Sequence, residues 1–192
     1  MALLSILQEP NKILRKRAAE IPPEEIKSKS IRRLLKDMSE TLRSIEVGVG
    51  LAAPQVGKSL RIFLVSEEAL ASDLRGKNVT EEELKKSKSE KNWRHLVFIN
   101  PKILKVSHKK PVFTEGCLSV SDPKGAVIFG RIRRPEKISI EAYDETGKKF
   151  QRGASGLFAQ VIQHESDHLD GVLFIDKAIE VKRIEPDEKN NA

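Results

Sequence analysis

The sequence has little of several features that would define a protein class. Its 192 residues include one cysteine, Cys117, so no disulfide can form within the chain. One tryptophan and one tyrosine are too few for a platform on which nucleic-acid bases could stack. No apolar run approaches the roughly 20 residues that span a bilayer, and residues 1–10 lack the basic region of a secretory signal. These absences argue against a disulfide scaffold, an aromatic nucleic-acid binder and a membrane protein, and a lone thiol favours a reducing cytoplasm.

The composition is that of a folded globular domain. Hydrophobic residues make up 39% and charged residues 33% of the chain, and the net charge is +7. An excess of this sign could favour an acidic partner such as ribosomal RNA, but a solvated, lysine-rich surface is the better explanation of most of these charges. The length favours a single domain spanning 1–192.

Periodic patterns predict two main helices and several strands. Apolar residues recur at helical spacing from Ile31 to Ile45, after an N-cap at Ser28 or Ser30, and again over 155–169. Strands are expected at 62–65, 95–106 (interrupted by Pro101), 112–113, 126–129, 137–143 and 172–175, with a short helix at 10–17 and a hairpin turn at 144–147. Many strands with few helices predict an α+β fold, in which antiparallel or mixed sheets pack around the helix at 155–169.

Two segments differ from this pattern in composition. Residues 67–94 are rich in lysine, glutamate and serine, which indicates a charged surface insertion between two strands rather than a second domain. The tail from about Lys177 is polar and is expected to fray at its end.

The later helix carries the sequence His164-Glu165-Ser166-Asp167-His168, which is an H-E-x-x-H motif. Residues four apart lie on one helical face, so His164 and His168 can bind one metal ion together. Glu165 can reach a water on that metal without being a ligand itself. The pattern predicts a metal-dependent hydrolase that splits an amide or ester bond.

A catalytic site of this kind needs a third protein ligand. One metalloprotease pattern, H-E-x-x-H-x-x-G-x-x-H, fails because Phe174 stands where the last histidine is required. Downstream glutamates lie in the polar tail, at Glu180, Glu185 and Glu188. The upstream alternatives are Cys117, which is the foremost candidate, and His95 and His108, which have surface-like neighbours.

Three short motifs stand out along the chain. Residues 115–119 read E-G-C-L-S, residues 48–55 read G-V-G-L-A-A-P-Q, and residues 163–168 read Q-H-E-S-D-H. All three resemble motifs of the peptide deformylases. The motifs occur in the family's order, and the resemblance runs from about Ile6 to Ile175.

The resemblance implies removal of the formyl group from the N-terminal formyl-methionine of nascent chains, in a bacterial cytoplasm or an organelle, with transient ribosome contact and neither membrane binding nor specific nucleic-acid recognition. It implies a divalent metal, natively Fe²⁺ and otherwise Zn²⁺, Ni²⁺ or Co²⁺, on Cys117, His164 and His168. Glu165 would move the proton, and Gln55 with the backbone N–H of Leu118 would stabilise the oxyanion. The expected substrate-binding residues are Gly48, Val49, Gly50, Phe113, Glu115, Leu157 and Val161, with Glu115 alternatively supporting a metal ligand.

The chain departs from the family pattern at two positions. Gln160 stands one turn before His164, where deformylases usually have an apolar residue, and Lys124 stands where many have a substrate-contacting arginine. Arg131, Arg133 or Arg134 could replace that arginine. Two alternatives to a deformylase are a metallopeptidase that cleaves other amides and a basic, non-catalytic module that associates with the ribosome. A non-catalytic module would have no need of Glu165, because it moves no proton.

Overall fold

A computed structural model describes residues 2–45, 48–67, 69, 94–121 and 127–184. Most of the predicted insertion, Lys124 and the end of the tail lie outside these ranges. None of the helices in the described ranges is long and apolar enough to cross a membrane. The helices are α1 (Lys29–Ser44), α2 (Gly156–Leu169) and α3 (Phe174–Lys177), with 3₁₀ turns at Lys12–Arg15, Pro23–Glu25 and Ala53–Val56.

The described strands form two antiparallel sheets. The strands are β1 (Gly50–Ala52), β2 (Ile62–Ser66), β3 (His95–Val106), β4 (Val112–Ser121), β5 (Val127–Arg133), β6 (Lys137–Tyr143), β7 (Lys149–Ser155) and β8 (Glu180–Ile184). The larger sheet has the order β1-β2-β3-β6-β7 and the smaller has the order β4-β5-β8. This arrangement confirms the predicted α+β class.

Helix α1 covers one face of the larger sheet. Its N-cap is Ser28, whose hydroxyl accepts a hydrogen bond from the Ile31 N–H at 3.3 Å. Its buried residues are Ile31, Leu35, Met38, Thr41 and Leu42, which form a stripe with helical spacing. This stripe shares a hydrophobic cluster with Ile62 and Leu64 of β2.

Helix α2 packs on the opposite face of that sheet. Side chains alternate along a strand, so Phe63 and Val65 of β2 point away from α1 and share a second cluster with Phe158 and Ile162 of α2. The other side of α2 faces β4 of the smaller sheet, where the Gln160 side chain donates to a backbone carbonyl. The helix that carries H-E-x-x-H therefore lies between the two sheets, as the sequence predicted.

The region after α2 differs from its prediction. Residues 172–175 were expected to form a strand, but α3 begins at Phe174, and Asp176 Oδ2 accepts the Leu173 N–H at 2.8 Å. The periodicity of a short apolar run is compatible with either a strand or a buried helix, so it could not identify this helix. The first part of the polar tail forms β8, which pairs along β5. The end of the tail, where fraying was expected, lies outside the described residues.

Other boundaries also differ. Pro101 does not interrupt β3, because a register shift between Ile99 and Lys102 accommodates it against β6. Strand β4 is much longer than the two residues predicted and includes Cys117, and β7 was not predicted. The predicted turn at 144–147 is confirmed, with Gly147 at φ 77°. The predicted helix at 10–17 is only a 3₁₀ turn, Lys12–Arg15.

Candidate metal centre

Strand β4 and helix α2 bring three metal-ligating side chains together. The ligand atoms of Cys117, His164 and His168 all lie within 4.8 Å of one another, and Cys117 Sγ is 3.2 Å from His168 Nε2. The alternatives do not join them: His95 bonds to Ser39 of α1, and His108 is exposed. Among the third-ligand candidates in the described ranges, Cys117 is the one that lies beside both histidines, whereas Glu185 and Glu188 lie outside those ranges.

The donor set and its surroundings fit a divalent cation. One thiolate and two imidazoles suit Zn²⁺, Fe²⁺ or Co²⁺. His164 Nδ1 lies 2.9 Å from Glu115 Oε2, which fixes that nitrogen as the donor and leaves Nε2 for the metal. Two buried polar atoms, Glu165 Oε2 and His168 Nδ1, have no hydrogen-bond partner within the described ranges, so the centre has capacity for a further bound group.

Burial gives the carboxylates of this centre different acidities. Glu165 is buried, and the loss of hydration raises its pKa to about 7, against a partial opposing effect of His164. Burial also disfavours ionisation of Glu115, but hydrogen bonds from His164 and Arg134 outweigh it and lower its pKa to about 2. Burial lowers the pKa of His168, which keeps its imidazole neutral, as a ligand must be.

A buried ion-pair network lies behind His164. Arg134 Nη2 contacts Glu115 Oε2 at 2.8 Å, and Arg134 Nη1 contacts Asp167 Oδ2 at 2.8 Å. Lys177 Nζ extends the chain to Asp167 Oδ1 at 2.6 Å. Arg134 is almost fully buried, so the expectation that it could contact substrate in place of a missing arginine is wrong; its partners hold it beneath the metal centre.

Gln55 is fixed with its amide nitrogen towards Cys117. Its Oε1 accepts the Ala52 N–H at 2.8 Å, and its Nε2 lies 3.7 Å from Cys117 Sγ and 3.3 Å from Ser119 Oγ. The side chain is buried and anchored at the oxygen end. A donor in this position requires no reorganisation to meet negative charge beside the metal ligands.

Residues 7–9 contact the part of the site that contains Gln55 and Leu118. Leu7 N–H donates to Gln55 O at 2.8 Å, and Glu9 N–H donates to Ser119 O at 2.9 Å. The Gln8 side chain donates to Leu118 O at 2.8 Å. This N-terminal segment, residues 7–9, therefore holds both Gln55 and Leu118 from outside.

Gly50 makes room for Glu165. A Cβ atom on Gly50 would overlap Glu165 Oε1 and would lie 2.9 Å from Val161 Cγ1. Its predicted companions Gly48 and Val49 are half-buried and directly precede it on the chain.

The remaining predicted substrate residues lie on β4 and α2. Phe113 is half-buried, Leu157 is 37% exposed, and Val161 is buried against Gly50. Glu115, by contrast, has its carboxylate bound to Arg134 and His164, so the structure favours the alternative in which it supports a metal ligand.

Sequence reasoning missed two residues that support the ligands. The Phe174 ring is buried and lies 6.3 Å from the His164 ring at an interplanar angle of 25°. It occupies the position where one protease pattern requires a histidine, and it packs flat on the first ligand instead. Ser119 bonds to Gln55, and only its place in the E-G-C-L-S motif hinted at a role.

Comparison with known proteins places these features in one family. A family profile described as polypeptide deformylase matches residues 3–184. The peptide deformylase of Symbiobacterium thermophilum is 38% identical over 97% of this chain and 72% of that protein, and that of Psychrobacter cryohalolentis is 37% identical over 95% and 83%. Peptide deformylase 1A of Arabidopsis thaliana, described as chloroplastic/mitochondrial, is 36% identical over 92% of this chain, which spans only 62% of that relative's length.

Solved structures agree with the sequence matches. The peptide deformylase of Thermotoga maritima superposes with a TM-score of 0.72 at 30% identity, covering 94% of this chain and all of that one (100%). The enzyme of Legionella pneumophila gives 0.69 at 34% identity, covering 92% and 86%. With its Cys-His-His centre, the chain belongs to the peptide deformylase family.

Proposed function

We propose that this chain is a metal-dependent peptide deformylase, which hydrolyses the formyl group from the N-terminal formyl-methionine of nascent polypeptides and releases formate. One observation carries the proposal beyond family membership. Glu165, a buried carboxylate that no ligand role requires, lies beside the Cys-His-His centre, with the Gln55 amide 3.7 Å from the Cys117 sulfur. A group that can carry a proton, Glu165, and a hydrogen-bond donor for an oxyanion, Gln55, therefore both lie next to the Cys-His-His centre.

Cys117, His164 and His168 would hold the metal ion. When bound, a divalent ion supplies a Lewis acid that lowers the pKa of water towards ~7. We propose Fe²⁺ as the native ion, with Zn²⁺, Ni²⁺ and Co²⁺ as substitutes, because sulfur and imidazole donors suit all four.

Glu165 moves the proton. Its pKa of about 7 means that protonated and ionised forms are both available near neutral pH. The ionised carboxylate accepts a proton from the attacking water, and the protonated acid then passes it to the departing amine of methionine. Burial keeps bulk water from competing for that proton.

Gln55 and the backbone N–H of Leu118 stabilise the oxyanion that develops on the formyl oxygen. A thiolate ligand reduces the Lewis acidity of a metal, so donors from the protein matter more here. Removing one such donor typically costs ~2.7–4 kcal/mol of transition-state stabilisation. The anchored Oε1 of Gln55 keeps its N–H group in place between turnovers.

Substrate binding uses the space around Gly50. The missing side chain at Gly50 lets Glu165 lie against the backbone of β1, and the Gly50 backbone would hydrogen-bond to the substrate backbone. The methionine pocket would be lined by Gly48 and Val49 before β1, Phe113 of β4, and Leu157 and Val161 of α2. Glu115 orients His164 through the hydrogen bond to His164 Nδ1, so its effect on the substrate acts through that metal ligand.

The wider setting follows from the same proposal. We infer one catalytic domain over 1–192, with the segment at 67–94 as a charged surface insertion. Its work on nascent chains places it in a bacterial cytoplasm or an organelle. The net charge of +7 supports transient contact with the ribosome without specific nucleic-acid recognition.

The test is product analysis on protein purified without oxygen and loaded with Fe²⁺ or Co²⁺. A formyl-Met tripeptide should release formate with no internal cleavage, and Glu165→Gln should abolish release while retaining metal. Glu145→Gln, an exposed carboxylate in the β6–β7 turn, is the matched control and should remain active. Internal cleavage would indicate a metallopeptidase. Absence of formate, with ribosome binding unaffected in Glu165→Gln, would indicate a binding module.

A further inference from the structure

Helix α2 places a second glutamine amide close to the metal centre. Gln160 lies one helical turn before His164 on the same face and is only 8% exposed. Its Nε2 donates to the Thr114 carbonyl of β4 at 3.0 Å. Because a carbonyl can only accept, this bond fixes which end of the amide is nitrogen.

Gln160 has hydrogen-bonding capacity left over. Neither its second N–H nor its Oε1 has a hydrogen-bond partner in the described part of the chain, and Oε1 is not fully enclosed. Gln163, three residues later, donates both N–H groups, to Pro135 O at 3.0 Å and Ala159 O at 2.9 Å. Both N–H groups of the Gln163 amide therefore have acceptors, whereas Gln160 keeps one N–H group and its Oε1 for a further hydrogen bond.

The spare group lies on the part of α2 that borders the metal centre. The neighbouring Val161 packs against Gly50 beside Glu165. Leu157, one turn earlier, is 37% exposed, so this face of α2 opens to solvent next to the centre. Thr114 and Cys117 place β4 on the other side.

We propose that the side chain of the first substrate residue enters between α2 and β4, and that Gln160 is a specificity-determining residue that makes this pocket polar. An amide that remains unpaired against an aliphatic chain is penalised, whereas a substrate group that can hydrogen-bond to it is favoured. The pocket consequently takes side chains with a polar atom at the δ or ε position: the methionine thioether, and also methionine sulfoxide and glutamine. This inference rests on the proposed deformylase function.

The experiment compares formylated tripeptides that differ only in the first residue: methionine, norleucine, methionine sulfoxide and glutamine. The readout is kcat/KM for each peptide divided by kcat/KM for norleucine on the same preparation. The ratio is independent of the folded or metal-loaded fraction, so a partly unfolded variant still gives a valid answer. The proteins are the wild type, Gln160→Leu, Gln160→Met and the control Gln151→Leu, an exposed glutamine on β7.

The sulfoxide and glutamine ratios should fall about 10-fold in both Gln160 variants and stay unchanged in Gln151→Leu. Equal ratios in all four proteins would overturn the role of Gln160 while leaving the deformylase function intact. If metal-loaded wild-type protein released no formate from any of the peptides, the proposed function itself would fail, and this inference with it.

Discussion

Replacing Arg134 by methionine tests whether the buried network behind His164 supports the metal centre. The guanidinium is 4% exposed and contacts Glu115 and Asp167 together. Removing one partner of a buried pair typically costs ~3–5 kcal/mol, because the other charge is left without compensation. Lys177 still pairs with Asp167, and His164 still meets Glu115. We therefore expect the lower end of that range, about 3 kcal/mol, in the free energy of unfolding.

Metal affinity should fall as well. Loss of an outer partner of a metal-bound histidine typically weakens metal binding 10–100-fold, and Glu115 without Arg134 is a less rigid acceptor for His164. Urea unfolding of the Zn²⁺-loaded protein gives the first quantity, and competition with a chelator gives the second.

Arg131→Met is the matched control, since Arg131 makes a half-exposed ion pair with Glu180. It should lose less than ~1 kcal/mol and keep its metal. A double variant with Glu115→Gln should be destabilised by less than the sum of the two single changes, because the orphaned charge is gone. Equal stability and equal metal affinity in Arg134→Met and Arg131→Met would refute the reasoning.

Three further predictions concern the reaction. Gln55→Leu should lower kcat by about 10²–10³ with metal content unchanged; a change confined to KM in steady-state assays would contradict its oxyanion role. Gly50→Ala should lower kcat/KM and destabilise the protein by ~1–3 kcal/mol, because the new methyl group overlaps Glu165; an active, equally stable variant in urea unfolding would contradict this close approach. Since burial raises the pKa of Glu165 to about 7 and its ionised form accepts the proton, kcat/KM should rise as pH increases through about 7; a pH–rate profile already flat above pH 5 would indicate an unshifted carboxyl.

The metal centre was predictable from sequence where local geometry determines it. The spacing of His164 and His168 fixes their common face on any helix, and the apolar pattern of α2 indicated a buried helix. Cys117 could not be chosen by spacing alone, because β4 reaches α2 only through tertiary packing. The family motifs supplied that link, and the structure places the sulfur 3.2 Å from His168.

The supporting residues were harder to find because their roles depend on distant partners. Arg134 was considered as a possible substrate-contacting arginine, since nothing near it in sequence indicates that it pairs with Glu115 and Asp167. Phe174 belonged to a run too short to distinguish strand from helix. Strand β7 escaped because its polar residues and Gly153 obscure the alternation that reveals β6.

The N-terminal segment, residues 7–9, connects the proposed oxyanion donors Gln55 and Leu118 to the start of the chain. Leu7, Gln8 and Glu9 form hydrogen bonds with backbone and side-chain groups that follow them by as many as 113 residues, so these contacts depend on tertiary packing rather than on local structure. A fusion or deletion that lifts this segment away would leave every metal ligand in place. Such a protein would be fully metallated yet catalytically weak, so metal content alone is a poor measure of an intact site.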